Sequence, residues 1–215
     1  MRTYSTLELG NPTDANTWEV GCNRKGLKAI SSIKANSPSM EKLIDFFNGQ
    51  PDWVYLSGHF ANLTLWGEGD TEIEFKKDRV IILKGSHSKD LTKSESGFRM
   101  HESCLLVVWG GCGALGEKSS IKTIRELFLN PAILGYSGST GWAINNSMLG
   151  GGFIRNHFFS QIKDTSSSDD LVDAWMDCAR RGYGGGPNEW KFRAVDSDGQ
   201  EWMLSDSKIK KGRKF

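Results

Sequence analysis

Two short apolar runs constrain this chain more than any other feature: Trp53-Val-Tyr-Leu-Ser-Gly-His59-Phe60 and Cys104-Leu-Leu-Val-Val-Trp-Gly-Gly-Cys112-Gly113. Each stops abruptly at small residues. Apolar runs of this length, bounded by glycine, read as strands buried on both faces, which is the signature of a parallel sheet. The carboxyl ends of such strands share one edge, and open α/β folds bind their ligands there. The first run delivers a histidine to that edge and the second a cysteine, the pairing of a nucleophile with its base.

The rest of the chain supplies the crossovers that a parallel sheet needs. Ser37-Pro38 starts a helix carrying Met40, Leu43, Ile44 and Phe47, and Gly49 and Pro51 stop it before the His59 strand. Thr71 to Lys84 alternates, turns at Lys77-Asp78 and returns, which predicts a β-hairpin. Residues 85 to 103 are polar and read as loop or a short exposed helix. After the Cys112 turn, Ile121, Ile124, Leu127 and Phe128 form one helical face. Ala132-Ile-Leu-Gly-Tyr136 is then a third apolar run ending at Ser137-Gly-Ser139. Strand, helix, strand in this order implies a right-handed parallel crossover.

Helices are also expected around Phe158 and Ile162, and from Ser168-Asp-Asp170 to Gly182. Lys163 to Asp170 reads as an exposed, cleavable loop. Residues 189 to 205 form a C-terminal hairpin turning at Asp198-Gly199, and Lys208 to Lys214 reads as a solvated basic end. Thr17 to Cys22 and Gly26 to Ile30 read as strands or a hairpin. At 215 residues this suits one domain spanning residues 1–215.

Charge excludes some functions. The 27 basic residues face 26 acidic ones, which gives no electrostatic reason to bind nucleic acid or an anionic membrane. No apolar run is long enough to span a bilayer, and the first residues lack an apolar signal core. The four cysteines, Cys22, Cys104, Cys112 and Cys178, are then expected to be reduced thiols in a cytoplasmic protein. Cys104 sits inside its strand and Cys178 on a helical face, as small buried hydrophobes do. Cys112 differs, because it follows its run amid glycines. A thiol there becomes a strong nucleophile if an imidazole removes its proton. Gly110-Gly-Cys-Gly113 is a corner where backbone N–H groups can reach a substrate oxygen, and the N–H of Phe60 is a second donor.

Val54-Tyr-Leu-Ser-Gly-His59, the hairpin after it, and Leu105-Leu-Val-Val-Trp-Gly-Gly-Cys112 together resemble the caspase-like cysteine peptidases, most closely the CHAT-domain type. His precedes Cys by about 50 residues, as in that group, and the resemblance covers residues 38 to 182. It implies an α/β fold, a caspase-like three-layer sandwich whose mostly parallel central sheet is flanked by helices, with added β-hairpins. It implies an endopeptidase with Cys112 as nucleophile and His59 as base, acting on a protein or peptide substrate without cofactor or metal. Gly111, Ser137, Ser139 and Trp142 would border the cleft, and a separate regulatory protein partner is consistent with that group. Two positions depart from its pattern: Phe60 stands where Gly usually follows the His, and Gly113-Ala114 where a small hydroxylic residue is common.

Other readings compete. The same fold can serve as an inactive binding or scaffold module. Gly111-Cys-Gly-Ala-Leu-Gly116 matches a dinucleotide-binding turn, but the acid expected after the next strand is missing. Gly135-Tyr-Ser-Gly-Ser139 approaches a serine-nucleophile elbow but lacks its final glycine. His101 and Cys104 could pair as metal ligands, but no second pair supports them.

Overall fold

In the computed structural model, residues 1–10, 13–94, 97–110, 113–138, 154–183, 186 and 191–215 are described. The chain opens with strand β1 (Thr3–Glu8), helix α1 (Thr13–Arg24), strand β2 (Lys28–Lys34) and helix α2 (Met40–Asn48). Strand β3 (Trp53–Ser57) is the first apolar run. Five short strands follow: β4 (His59–Ala61), β5 (Thr64–Trp66), β6 (Thr71–Phe75), β7 (Arg79–Lys84) and β8 (His87–Thr92). Strand β9 (Leu106–Trp109) is the second run; helix α3 (Lys118–Leu127) and strand β10 (Ala132–Tyr136) come next. After a short π-helical turn (Ile154–Phe158), helix α4 (Ser168–Tyr183) leads to β11 (Phe192–Val195), β12 (Gln200–Ser205) and β13 (Lys208–Lys214).

Two sheets organise these strands. The larger has eight, in the order β13-β12-β11-β10-β9-β3-β1-β2. Its β2, β1, β3, β9 and β10 run parallel, whereas β11, β12 and β13 are antiparallel. The smaller sheet, β4-β5-β6-β7-β8, is antiparallel throughout. This overturns the expected caspase-like sandwich with a mostly parallel central sheet flanked by helices. The large sheet is mixed, and a second sheet covers part of one of its faces.

The reason lies in short connections. Strands joined by a two-residue turn can only pair antiparallel, because a parallel return needs a long crossover. Asp206 and Ser207, both at positive φ, make such a turn between β12 and β13. Asn62 and Leu63 make one between β4 and β5. The basic C-terminal run is solvated as expected, every residue of it being exposed, but it is a strand rather than a loose end. The polar segment after Lys84 likewise contributes β8, held by the register of β7 and β8.

Each face of the large sheet has its own core. On one side Tyr4, Trp53, Tyr55, Val108 and Tyr136 pack with Ala15, Trp18 and Cys22 of α1 and Leu171 and Trp175 of α4. On the other, Leu7, Leu56, Val107 and Trp109 pack with α2, α3 and the small sheet through Leu43, Phe46, Phe75, Ile82 and Ile124. The stretch Thr17 to Cys22 is thus helical, not a strand. Ala15, Trp18 and Cys22 recur at helical spacing and all are buried, and that packing overrides the β-preference of Thr17, Trp18 and Val20. Arg125 ties α3 to the turn between β11 and β12 by donating to the Asp196 and Ser197 carbonyls at 2.7 and 3.0 Å. No helix among the described residues is long and apolar enough to cross a membrane.

Candidate functional site

The carboxyl ends of β1, β3, β9 and β10 meet at one edge of the large sheet. Leu56 of β3 is paired with Trp109 of β9, and Glu8 of β1 with Ser57 of β3. The last residue of β9 therefore lies beside the next-to-last residue of β3. Beyond β3 the chain passes through Gly58 straight into His59, whose side chain is exposed. Beyond β9 it enters Gly110, whose N–H donates to the Leu56 carbonyl at 2.8 Å. The sequence thus correctly sends the two runs to adjoining positions, although His59 begins β4 rather than ending β3.

The glycines at this edge answer to space. Gly58 has φ +148°, and a Cβ there would come within 2.7 Å of the Trp66 carbonyl oxygen and 2.9 Å of that of Leu9. A Cβ on Gly110 would come within 2.4 Å of the Tyr55 hydroxyl and 2.8 Å of Ser57 Oγ. The turn out of β9 therefore rests directly on two hydroxyl groups of β3. It rejoins described chain at Gly113, at φ +74°, whose N–H donates to the Gly138 carbonyl at 3.0 Å. Cys112 falls between these two anchored glycines in sequence, and Gly111 and Cys112 lie outside the described residues.

Phe60 is placed by its ring. The ring is buried 4.5 Å from that of Trp109 and so points away from the exposed side chain of His59. Ala61 and Thr64 flank the two-residue turn and form its narrow hydrogen-bonded pair, so Phe60 and Leu65 form the pair that exchanges no hydrogen bonds. The Phe60 N–H accordingly faces away from β5. His59 has an aromatic neighbour in Trp66, with ring centroids 5.8 Å apart.

Of the other residues singled out by sequence, Ser137 follows β10, its hydroxyl donating to the Lys191 carbonyl at 3.3 Å and its N–H to the same oxygen at 2.7 Å. That hydroxyl is occupied, which weakens the serine-elbow reading. Ser139 and Trp142 lie outside the described residues. The dinucleotide-like turn leads into α3 through Glu117 at the helix N-cap. A carboxylate at the N-cap opposes a phosphate at the same helix end.

The three described thiols are buried. Desolvation pushes Cys22 and Cys104 well up, and Cys178 up to about 12. Cys104 Sγ also lies 3.4 Å from the Leu106 carbonyl oxygen, to which it donates. All three are poor nucleophiles near neutral pH.

Sequence reasoning missed one part of this edge. Glu8 is almost fully buried at the end of β1, on the same side of the sheet as Tyr4 and Thr6. It adds a carboxylate to a row that continues through Ser57. The signal was a run of β-formers, Thr3-Tyr-Ser-Thr-Leu7, shortly followed by Gly10-Asn-Pro12.

Comparison with known protein families, with curated proteins and with solved structures found no match to this chain.

Proposed function

We propose that the protein is a cysteine peptidase, with Cys112 as nucleophile and His59 as general base. One observation supports the reading: β3 and β9 pair at Leu56–Trp109, and the exposed His59 and Gly110 follow the ends of these two strands. The retained chemistry is that of the resemblance, Cys and His; its overall sheet plan is not needed for it.

The imidazole of His59 takes the thiol proton, and the sulfur attacks the carbonyl carbon of the substrate. The N–H groups of Cys112 and Phe60 hold the oxyanion that forms. The imidazolium then protonates the leaving amine, and water, deprotonated by the same imidazole, releases the acyl group. Phe60 is compatible with this role because its ring is buried beside Trp109. The substrate is a polypeptide, and a regulatory protein partner fits the same reading. Free thiols at Cys22, Cys104 and Cys178 favour a reducing compartment such as the cytoplasm.

The test compares wild type, Cys112→Ala and His59→Ala on a peptide library, read by mass spectrometry. Cleavage by wild type alone supports the proposal. A Cys112→Ala protein that still cleaves, or a folded wild type that cleaves nothing, refutes it.

A further inference from the structure

The near-balance of charge conceals an asymmetry. β13 carries Lys208, Lys210, Lys211, Arg213 and Lys214 and no acid, so the rest of the chain holds 22 of the 27 basic residues against all 26 acidic ones. Every residue from Lys208 to Lys214 is exposed. β13 is also the outermost strand of the large sheet and is paired on one side only, with β12. Among the described residues no strand pairs with its outer side, although the pairing with β12 is interrupted near Gln200 and the Gly212 and Arg213 carbonyls accept from the Gln200 side chain.

The cations project on both faces of that edge. Lys208 and Lys210 stand opposite Ser205 and Met203, whereas Lys211 and Lys214 stand opposite Trp202 and Gln200, on the alternate face. Their internal tethers differ: Lys210 makes a weak surface pair with the exposed Asp206 at 2.7 Å, whereas Arg213 is held by the buried Glu201 carboxylate, through its side chain at 3.3 Å and its N–H at 3.0 Å. Lys211 lies over the Trp202 ring at 5.2 Å. Lys208 and Lys214 form no ion pair among the described residues.

We propose that β13 is a docking edge for an acidic, extended polypeptide segment, which joins the large sheet as a ninth strand. The five cations of β13, with no acid among them, give this edge a charge that an acidic segment complements. A second copy of β13 is disfavoured as occupant, because cations would oppose cations. A nucleic acid or a lipid surface approaches from one face and meets only part of the set. A strand lying in the plane of the sheet meets both faces and pairs with the open backbone as well. Opposite-charge cross-strand pairs at an exposed edge are screened by salt, so recognition is expected to be salt-sensitive.

The experiment uses fluorescence anisotropy with a short Glu- and Val-rich peptide that carries acids on both faces of an extended strand. The controls are the same peptide N-methylated at alternate amides, an oligothymidylate and phosphatidylserine vesicles. Saturable binding is expected, weakened about tenfold by N-methylation and by the combined Lys208→Gln, Lys210→Gln and Lys214→Gln substitutions, a change of about 1.4 kcal/mol. In wild type, the β13 amides should gain hydrogen-exchange protection when the peptide is added, a readout independent of how well the variant folds. Absent binding, equal affinity for the N-methylated peptide, tighter binding of oligothymidylate or vesicles, or unchanged protection of β13 would each overturn the proposal.

Discussion

The ring of Phe60 lies 4.5 Å from that of Trp109, so the residue next to the exposed His59 is anchored in the core shared by the two sheets. The anchor joins β4 of the small sheet to β9 of the large one. It fixes where the His59 backbone leaves the sheet. Truncation to Phe60→Ala is expected to destabilise the protein by about 3–5 kcal/mol, and Phe60→Leu by well under half of that. Urea unfolding followed by tryptophan fluorescence measures both. An unchanged midpoint for Phe60→Ala would remove the anchor from the account.

Gly58 and Gly110 answer to different obstacles, and substitutions separate them. A Cβ at Gly58 meets two carbonyl oxygens at a backbone angle that side chains rarely adopt, so Gly58→Ala should lose at least about 1–3 kcal/mol. No single side-chain change can relieve it. A Cβ at Gly110 meets the Tyr55 hydroxyl and Ser57 Oγ, which are side-chain atoms. Tyr55→Phe should therefore recover part of the loss caused by Gly110→Ala, with a coupling of about 0.5–3 kcal/mol. Strictly additive effects in the double-mutant cycle would contradict the contact.

How much of this was legible in the sequence follows from how each element is stabilised. β3 and β9 could be read because strands covered on both faces are continuous apolar runs, and the glycines after them mark where side chains would collide. β1 was not, because Ser5 and Thr6 are fully buried beside Leu7, and a hydropathy pattern cannot distinguish a buried hydroxyl from an exposed one. β13 has almost no apolar content; its place comes from the turn at Asp206-Ser207 and from pairing with β12. The hairpin of β11 and β12 was legible from its turn at Asp198-Gly199, but its antiparallel attachment to β10 was not, because the two strands are far apart in sequence. That β3 and β9 end at one edge of the sheet was legible, and the buried carboxylate of Glu8 at the end of β1 was not.

Thiol chemistry offers a sharper test of the candidate nucleophile. Cys22, Cys104 and Cys178 are buried, with thiols pushed up by desolvation. In the native protein near pH 7 they should resist iodoacetamide, while a thiol activated by His59 reacts at least about tenfold faster. Peptide mapping should then find the label at Cys112, and His59→Ala should slow that labelling. Equal labelling of all four cysteines in folded protein would argue against an activated Cys112.

Acid stability should depend on Asp70. The Lys84 ammonium, and then the Ser37 hydroxyl, hold the Asp70 carboxyl down at about 2. Lys84 Nζ lies 2.8 Å from Asp70 Oδ1, and Ser37 donates to the same oxygen. An Asp in the unfolded chain titrates near pH 3.9, so between that value and the folded one the unfolded state binds more protons. Stability from this group is thus fully present above about pH 4 and is lost as pH falls toward 2. Asp70→Asn should flatten the fall of the urea midpoint across that window and leave its slope at neutral pH unchanged. Ser37→Ala should raise the Asp70 carboxyl and start the wild-type fall at higher pH. A wild-type slope retained in Asp70→Asn would assign the acid sensitivity to other carboxylates.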